Sequence, residues 1–126
     1  MSVSGTAFGK TKTCAPDEAK KVEATASTLK TWQALFNAFK LHSHCDDGGI
    51  SEGFSESVSN LLADRWDQFN ELHSLVNSDA GFKRFVIKHI DRTITRENAK
   101  HIVENAKMKC PADAKAFCAE LINAAR

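Results

Sequence analysis

Apolar residues in this chain return at steps of three and four, and that period decides most of what it can fold into. Val22, Ala26, Leu29, Phe36 and Phe39 keep the step, with Gln33 in phase and Trp32 and Leu35 widening the stripe. An α-helix brings such positions onto one face, so the spacing predicts an amphipathic helix from Pro16 to about His44. Pro16 suits its first position, and Asp17 and Glu18 suit the positive end of its dipole. The same period predicts a second long helix from Ser51, its N-cap, to Val76, with Phe54, Val58, Leu61, Leu62, Phe69 and Leu72 inward and Trp66 or Arg65 in phase. A short helix through Phe82, Phe85, Val86, Ile87 and Ile90 follows, capped by Ser78 or Asp79. Another begins at Thr93 or Thr95 and buries Ala99, Ile102, Val103 and Ala106. The last begins at Pro111 and buries Ala114, Phe117, Cys118, Leu121 and Ile122. With only two prolines and six glycines to interrupt it, and no strand pattern or internal repeat, the chain reads as an all-α, single-domain bundle of about five helices.

At 126 residues the chain is long enough for one core. Residues 1–13 are small and polar and are expected to be mobile, leaving 14–126 as the bundle. No apolar run approaches the roughly 20 residues of a membrane span. The N-terminus has no apolar signal core, so it is not an intact secretory signal.

Cys14, Cys45, Cys110 and Cys118 are an even set, separated by 31, 65 and 8 residues, with no CxxC pair. That favours disulfides over a zinc ribbon or a thioredoxin-like motif. If residues 16–43 form one continuous helix, its ends lie roughly 40 Å apart. Cys14 and Cys45 then cannot bond, because their Cα atoms must approach within about 7 Å. Cys110 and Cys118 pair only if Cys110 lies before the last helix and folds back. The remaining choice is pairing between the first and last parts of the chain.

His42-Ser-His-Cys-Asp-Asp-Gly-Gly49 gathers metal-ligating residue types. His42 and Cys45, three apart, would share a helix face, with Asp46 or Asp47 or a distant residue needed to complete a site. The acids do not follow a calcium-loop pattern. The favoured reading is a helix end, with His42 and His44 near its last carbonyls and Gly48 or Gly49 supplying the left-handed turn that stops it. Glu97, His101 and Glu104 share a helix face but occur once, in the wrong order for a di-metal bundle, and read as a solvated surface. The chain has no GxSxG, no HExxH, no glycine-rich phosphate loop and no Walker lysine. No catalytic residue, metal or cofactor is therefore assigned, and an enzyme is not expected.

Charge is unevenly distributed. Residues 46–79 hold eight acids against one base, a net of −7, while residues 83–109 hold eight bases against three acids, a net of +5. Glu52, Glu56, Asn60, Asp64, Asp67 and Glu71 follow steps of three and four, predicting an acidic stripe about five turns long. Such a stripe is either a solvated face balanced by the basic segment of the same fold or a docking surface for a basic partner. The basic segment lacks interleaved exposed aromatics, and the whole chain carries only +1, so nucleic acid is not expected as a partner.

The stretch CDDGGISEGFSESVSNLLADRW (45–66), with FKRFVIKHID (82–91) and the Cys110-Pro111…Cys118 pattern, resembles small helical proteins of Gram-negative bacteria. Together these segments cover about half the chain. Those proteins look exported, and in size and helical character they are similar to immunity proteins that neutralise toxins delivered between competing bacteria. The resemblance implies a periplasmic or secreted location and a protein-binding role, and it carries no catalytic motif. The expected function is then a disulfide-stapled inhibitor that occludes a toxin or effector enzyme. Its contacts would be Glu52, Glu56, Asp64, Asp67 and Glu71, with Trp66 as an anchor if exposed, and homodimer formation is left open. The alternative is a helical small-ligand or metal carrier built on His42, His44 and Cys45.

Overall fold

The computed structural model describes residues 12–126, so most of the N-terminal segment expected to be mobile lies outside the described residues. The fold is all-α. Its seven α-helices are α1 (Pro16–Ala26), α2 (Trp32–His42), α3 (Gly48–Asp64), α4 (Phe69–Ser78), α5 (Ala80–Lys88), α6 (Arg96–Met108) and α7 (Lys115–Ala125), and there is no strand among the described residues. The two helices beyond the expected five arise because each long predicted helix is broken once.

The first break falls in Thr25-Ala-Ser-Thr-Leu-Lys-Thr31. Ser and Thr hydroxyls compete with the helix for backbone groups. Thr28 Oγ1 donates to the Thr25 carbonyl at 2.9 Å, and Thr31 Oγ1 accepts from Ala34 N–H at 3.0 Å as the N-cap of α2. The turn is held from outside by Ser57 on α3. Its hydroxyl donates to the Ala26 carbonyl at 2.5 Å and accepts from Leu29 N–H at 3.2 Å. The chain therefore doubles back, and Cys14 and Cys45 form a disulfide with their Cα atoms 5.1 Å apart. The continuous helix that would have kept them apart does not exist.

The second break falls at Arg65, followed by a 3-10 turn over Trp66–Gln68. The carbonyls freed at the end of α3 are satisfied by a remote residue, since Asn105 Nδ2 on α6 donates to Leu62 O at 3.0 Å and to Ala63 O at 3.1 Å. Trp66 turns sideways, stacks on Phe69 with ring centroids 4.4 Å apart, and donates its indole N–H to Lys109 O at 3.1 Å. It is half-buried and occupied, which removes it as a free anchor for a partner.

The remaining caps follow the sequence. Asp79 accepts from Phe82 N–H and Thr95 from Asn98 N–H, each at 3.0 Å. At α3 the N-cap is Asp47, not Ser51, and Gly48 takes a left-handed φ of 53°. The left-handed glycine is present as expected, but it starts the following helix. The preceding one ends earlier, in a 3-10 turn over Ser43–Cys45. Cys110 sits ahead of α7 and bonds Cys118 in its first turn, with Cα atoms 6.3 Å apart, so no cysteine is free.

Helix α3 lies at the centre and packs against α1, α2 and α6, while α4 and α5 pack together and α7 closes against α5 and α6. Trp32, Leu35, Phe54, Val58, Leu72, Phe82 and Ile102 are fully buried. Phe54, Phe82 and Phe85 interlock with Phe36 and Phe39, the Phe36–Phe82 and Phe54–Phe85 pairs meeting edge to face at 5.1 and 5.3 Å. The end of α1 crosses α3 at Gly53, where an added Cβ would lie 2.9 Å from Ala26 Cβ and 3.2 Å from Ser27 N. Gly53→Val should therefore lower stability by about 1–3 kcal/mol. Thermal unfolding tests this, and an unchanged melting temperature would mean that the crossing can open without cost.

Candidate functional site

Because α3 is buried on most sides, its free surface is narrow. Buried positions run Phe54, Ser55, Ser57, Val58, Ser59, Leu61 and Leu62, leaving Glu52, Glu56 and Asp64 exposed with Asn60 half-buried between them. Asn60 Oδ1 accepts from Asn98 Nδ2 at 2.8 Å, which ties this face to the start of α6. Beside it, Thr93, Ile94 and Thr95 complete a cleft of about 260 Å³ with Glu52 and Glu56. The predicted five-turn stripe is shorter than the spacing implied. It ends at Asp64 because α3 ends there. Asp67 lies in the 3-10 turn, where it pairs with Arg65 at 3.4 Å, and Glu71 stands exposed on α4 beyond the bend.

The eight acids of residues 46–79 divide into two groups. Asp46, Asp47, Asp67 and Asp79 are used within the fold, as an ion-pair partner of His89 and Lys88, a cap, a partner of Arg65, and a cap paired with Lys40. Glu52, Glu56, Asp64 and Glu71 are exposed and pair with no basic side chain among the described residues. The basic segment does not neutralise them by contact. Lys83 pairs with Glu120 at 2.7 Å, and Lys88 reaches only Asp46, at 3.0 Å.

Most side chains of the His42–Gly49 run have partners within the fold. His42 Nδ1 lies 2.7 Å from Glu18 Oε2, and His44 Nε2 lies 2.9 Å from the same oxygen. The rings therefore meet a carboxylate of α1 instead of the helix-end carbonyls. Hydrogen bonds from His44 and then His42 hold the Glu18 carboxyl below its usual range. An ionised carboxylate only accepts, so each ring presents an N–H to it. Cys45 is bonded to Cys14, which removes it as a metal ligand in the oxidised protein. Asp47 caps α3 through Gly48 N–H at 2.9 Å.

Asp46 belongs to a second network that sequence reasoning missed. His89 is completely buried at the end of α5. Its Nε2 lies 2.8 Å from Asp46 Oδ2, its Nδ1 lies 2.8 Å from Ser55 Oγ, and Ser55 Oγ donates to Asp91 Oδ2 at 2.8 Å. Ser55 Oγ donates its hydrogen bond to Asp91, which leaves its lone pairs facing His89 Nδ1. At the other end of the ring, Nε2 faces the Asp46 Oδ2 acceptor. Burial alone would raise the Asp46 carboxyl, but the His89 hydrogen bond and charge, with help from Lys88, outweigh it and hold it below the ordinary value. Asp91 is likewise held low. Burial opposes this, and the Thr93 hydroxyl and N–H, Ser55 and the His89 charge overcome it. The residue types match a nucleophilic triad, but Ser55 has no exposed surface and directs its hydroxyl hydrogen bond to Asp91. The network joins α3, α5 and two loops, with Ser55 and His89 fully buried and Asp46 and Asp91 half-buried. Its one sequence signal was His89, which with Lys88 interrupts the apolar run from Phe85 to Ile90.

Glu97 and Glu104 of the α6 set are exposed, and His101 is half-buried. No described helix is long and apolar enough to cross a membrane. Fold and surface together define a disulfide-stapled helical bundle whose central helix exposes a row of unpaired carboxylates. No protein-family model, curated protein or solved structure matches the chain.

Proposed function

We propose that this chain is a non-catalytic protein-binding domain of the immunity or inhibitor type, which occludes the basic active cleft of a toxin enzyme with the exposed face of α3. The observation that carries this reading is the row Glu52, Glu56 and Asp64, exposed on a helix packed on its other sides and left without a paired cation among the described residues. Like charges stacked along one helix face cost stability unless something offsets them. A basic partner offsets them on binding and is steered toward them before contact. Glu71 adds a separate charge on α4, whereas Asp67 is discounted by its pairing with Arg65. The two disulfides support residence in an oxidising compartment, periplasmic or extracellular.

The test is charge reversal on the exposed face. Glu56→Lys with Asp64→Lys should leave the helical circular dichroism and melting temperature close to wild type, because neither side chain is buried or paired. Association with a partner captured by the wild-type chain and then purified should slow by about tenfold or more at low salt, with the deficit shrinking as salt rises. Unchanged association kinetics would remove the α3 face from the interface.

A further inference from the structure

The Glu18–His42–His44 cluster is held by geometry that a simple helix end does not need. The Cys14–Cys45 disulfide fixes one backbone four residues before Glu18 and the other directly after His44. It thereby presses the start of α1 against the end of α2. Both imidazoles converge on one carboxylate oxygen, at 2.7 and 2.9 Å, with ring centroids 6.4 Å apart. The side chains are neither sealed nor free, since His42 is 32% exposed, Glu18 25% and His44 11%. A surface cleft of about 570 Å³, lined by Asp17, Glu18, Lys21, Val22 and His42, opens onto the cluster.

We propose that Glu18, His42 and His44 form a binding site for a divalent transition-metal ion of the imidazole-preferring class, with Zn2+ the best match. Two imidazole nitrogens and a carboxylate oxygen are the protein ligands of an open zinc site, with the fourth position left to solvent or to a group on another molecule. Zinc bonds to such donors are about 2.0–2.2 Å long. The two imidazole nitrogens meet through the Glu18 oxygen between them and not directly, so taking up an ion requires His42 and His44 to close toward each other while the partly exposed Glu18 carboxylate swings aside. The hydrogens now directed at Glu18 move to the other ring nitrogens or to solvent as the ion takes their place, because metals bind the unprotonated nitrogen. The donor set excludes Ca2+ and Mg2+, which take oxygen ligands. Both disulfide sulfurs also lie within 4.8 Å of a Glu18 oxygen, but while bonded to each other they are not thiolates, so the oxidised site is built from nitrogen and oxygen alone. The site is independent of the α3 docking face, and either reading can fail without the other.

The experiment is calorimetric titration of the full, disulfide-bonded chain with Zn2+ alone, with native mass spectrometry for stoichiometry. The expected result is one ion per chain. Affinity should fall at least about tenfold in His42→Ala and in His44→Ala, and should be unchanged in His73→Ala and His101→Ala. His44→Asn keeps a hydrogen-bond donor for Glu18, and it should retain the wild-type melting temperature without metal yet still lose the ion. Zn2+ should raise the melting temperature of the wild type by mass action and not that of His44→Asn. No binding at millimolar Zn2+, or equal binding by wild type and the His42→Ala/His44→Ala double variant, would overturn the proposal.

Discussion

Asp46→Ala should destabilise the protein by about 3–5 kcal/mol, the largest effect expected of any single polar substitution in the chain. The carboxylate is only 5% exposed and receives both the Nε2–H of the completely buried His89 and the ammonium of Lys88. Removing it leaves a buried imidazole donor facing no acceptor. Lys88 is 58% exposed and returns to solvent at little cost, so Lys88→Ala should change stability by only about 0–1 kcal/mol. Chemical denaturation of the two variants separates these contributions. Similar small losses from both would mean that the His89 network holds no more than a surface ion pair does.

Acid should act on the same groups. Asp46 and Asp91 are both held below the ordinary carboxyl value of 3.8 in the folded protein. A depressed folded pKa contributes stability that is fully present above the unfolded value. That stability is lost as pH falls below about 4 toward the folded value. The wild-type melting temperature should therefore be nearly level from pH 7 to 5 and fall steeply below 4. In Asp46→Asn the fall should be shallower, since one of the linked carboxyls is gone. A parallel acid profile in the variant would exclude Asp46 as a linked group.

Loss of the Cys14–Cys45 disulfide should cost about 3–4 kcal/mol, against about 2–3 kcal/mol for Cys110–Cys118. The difference follows from loop length, because the first bond closes a separation of 31 residues and the second only 8. The longer loop frees more of the unfolded chain when its bond is removed. The paired substitution Cys14→Ser/Cys45→Ser should lower the melting temperature by about 10 °C or more, and full reduction of the wild type by more than either pair alone. Scanning calorimetry with and without reductant measures all of these. Equal losses from the two pairs would argue against chain entropy as the source, and no loss at all would mean that neither bond constrains the unfolded ensemble.

The cysteine pairing illustrates how far local pattern carries. Apolar spacing identified the helical faces that are in fact buried, from Val22 through Phe54 and Val58 to Leu121. It also identified the all-α class, and capping residue types narrowed two helix starts to Ser78 or Asp79 and to Thr93 or Thr95, of which Asp79 and Thr95 are the caps. These are local properties, because a helix buries the face that its own residues make apolar and a cap acts within three residues. The same spacing ran unbroken through Thr25–Thr31 and through Arg65, where the chain leaves the helix. Apolar phase continues across both sites, so periodicity gave no notice of either break.

Local Ser and Thr hydroxyls open the first break, but both breaks are held by residues far away in sequence. Ser57 holds the first turn through the Ala26 carbonyl and the Leu29 amide, and Asn105 satisfies the carbonyls at the second. Once the first turn forms, Cys14 meets Cys45 and Glu18 meets both histidines. Once the second forms, the acidic row stops at Asp64. By itself the sequence determined that this chain is helical, which faces are buried and where its charges concentrate, since these depend on neighbours three or four positions apart. Only the tertiary structure decided where the helices stop, which cysteines bond and which acids remain free. Each of those outcomes depends on whether a polar group finds its partner across the fold.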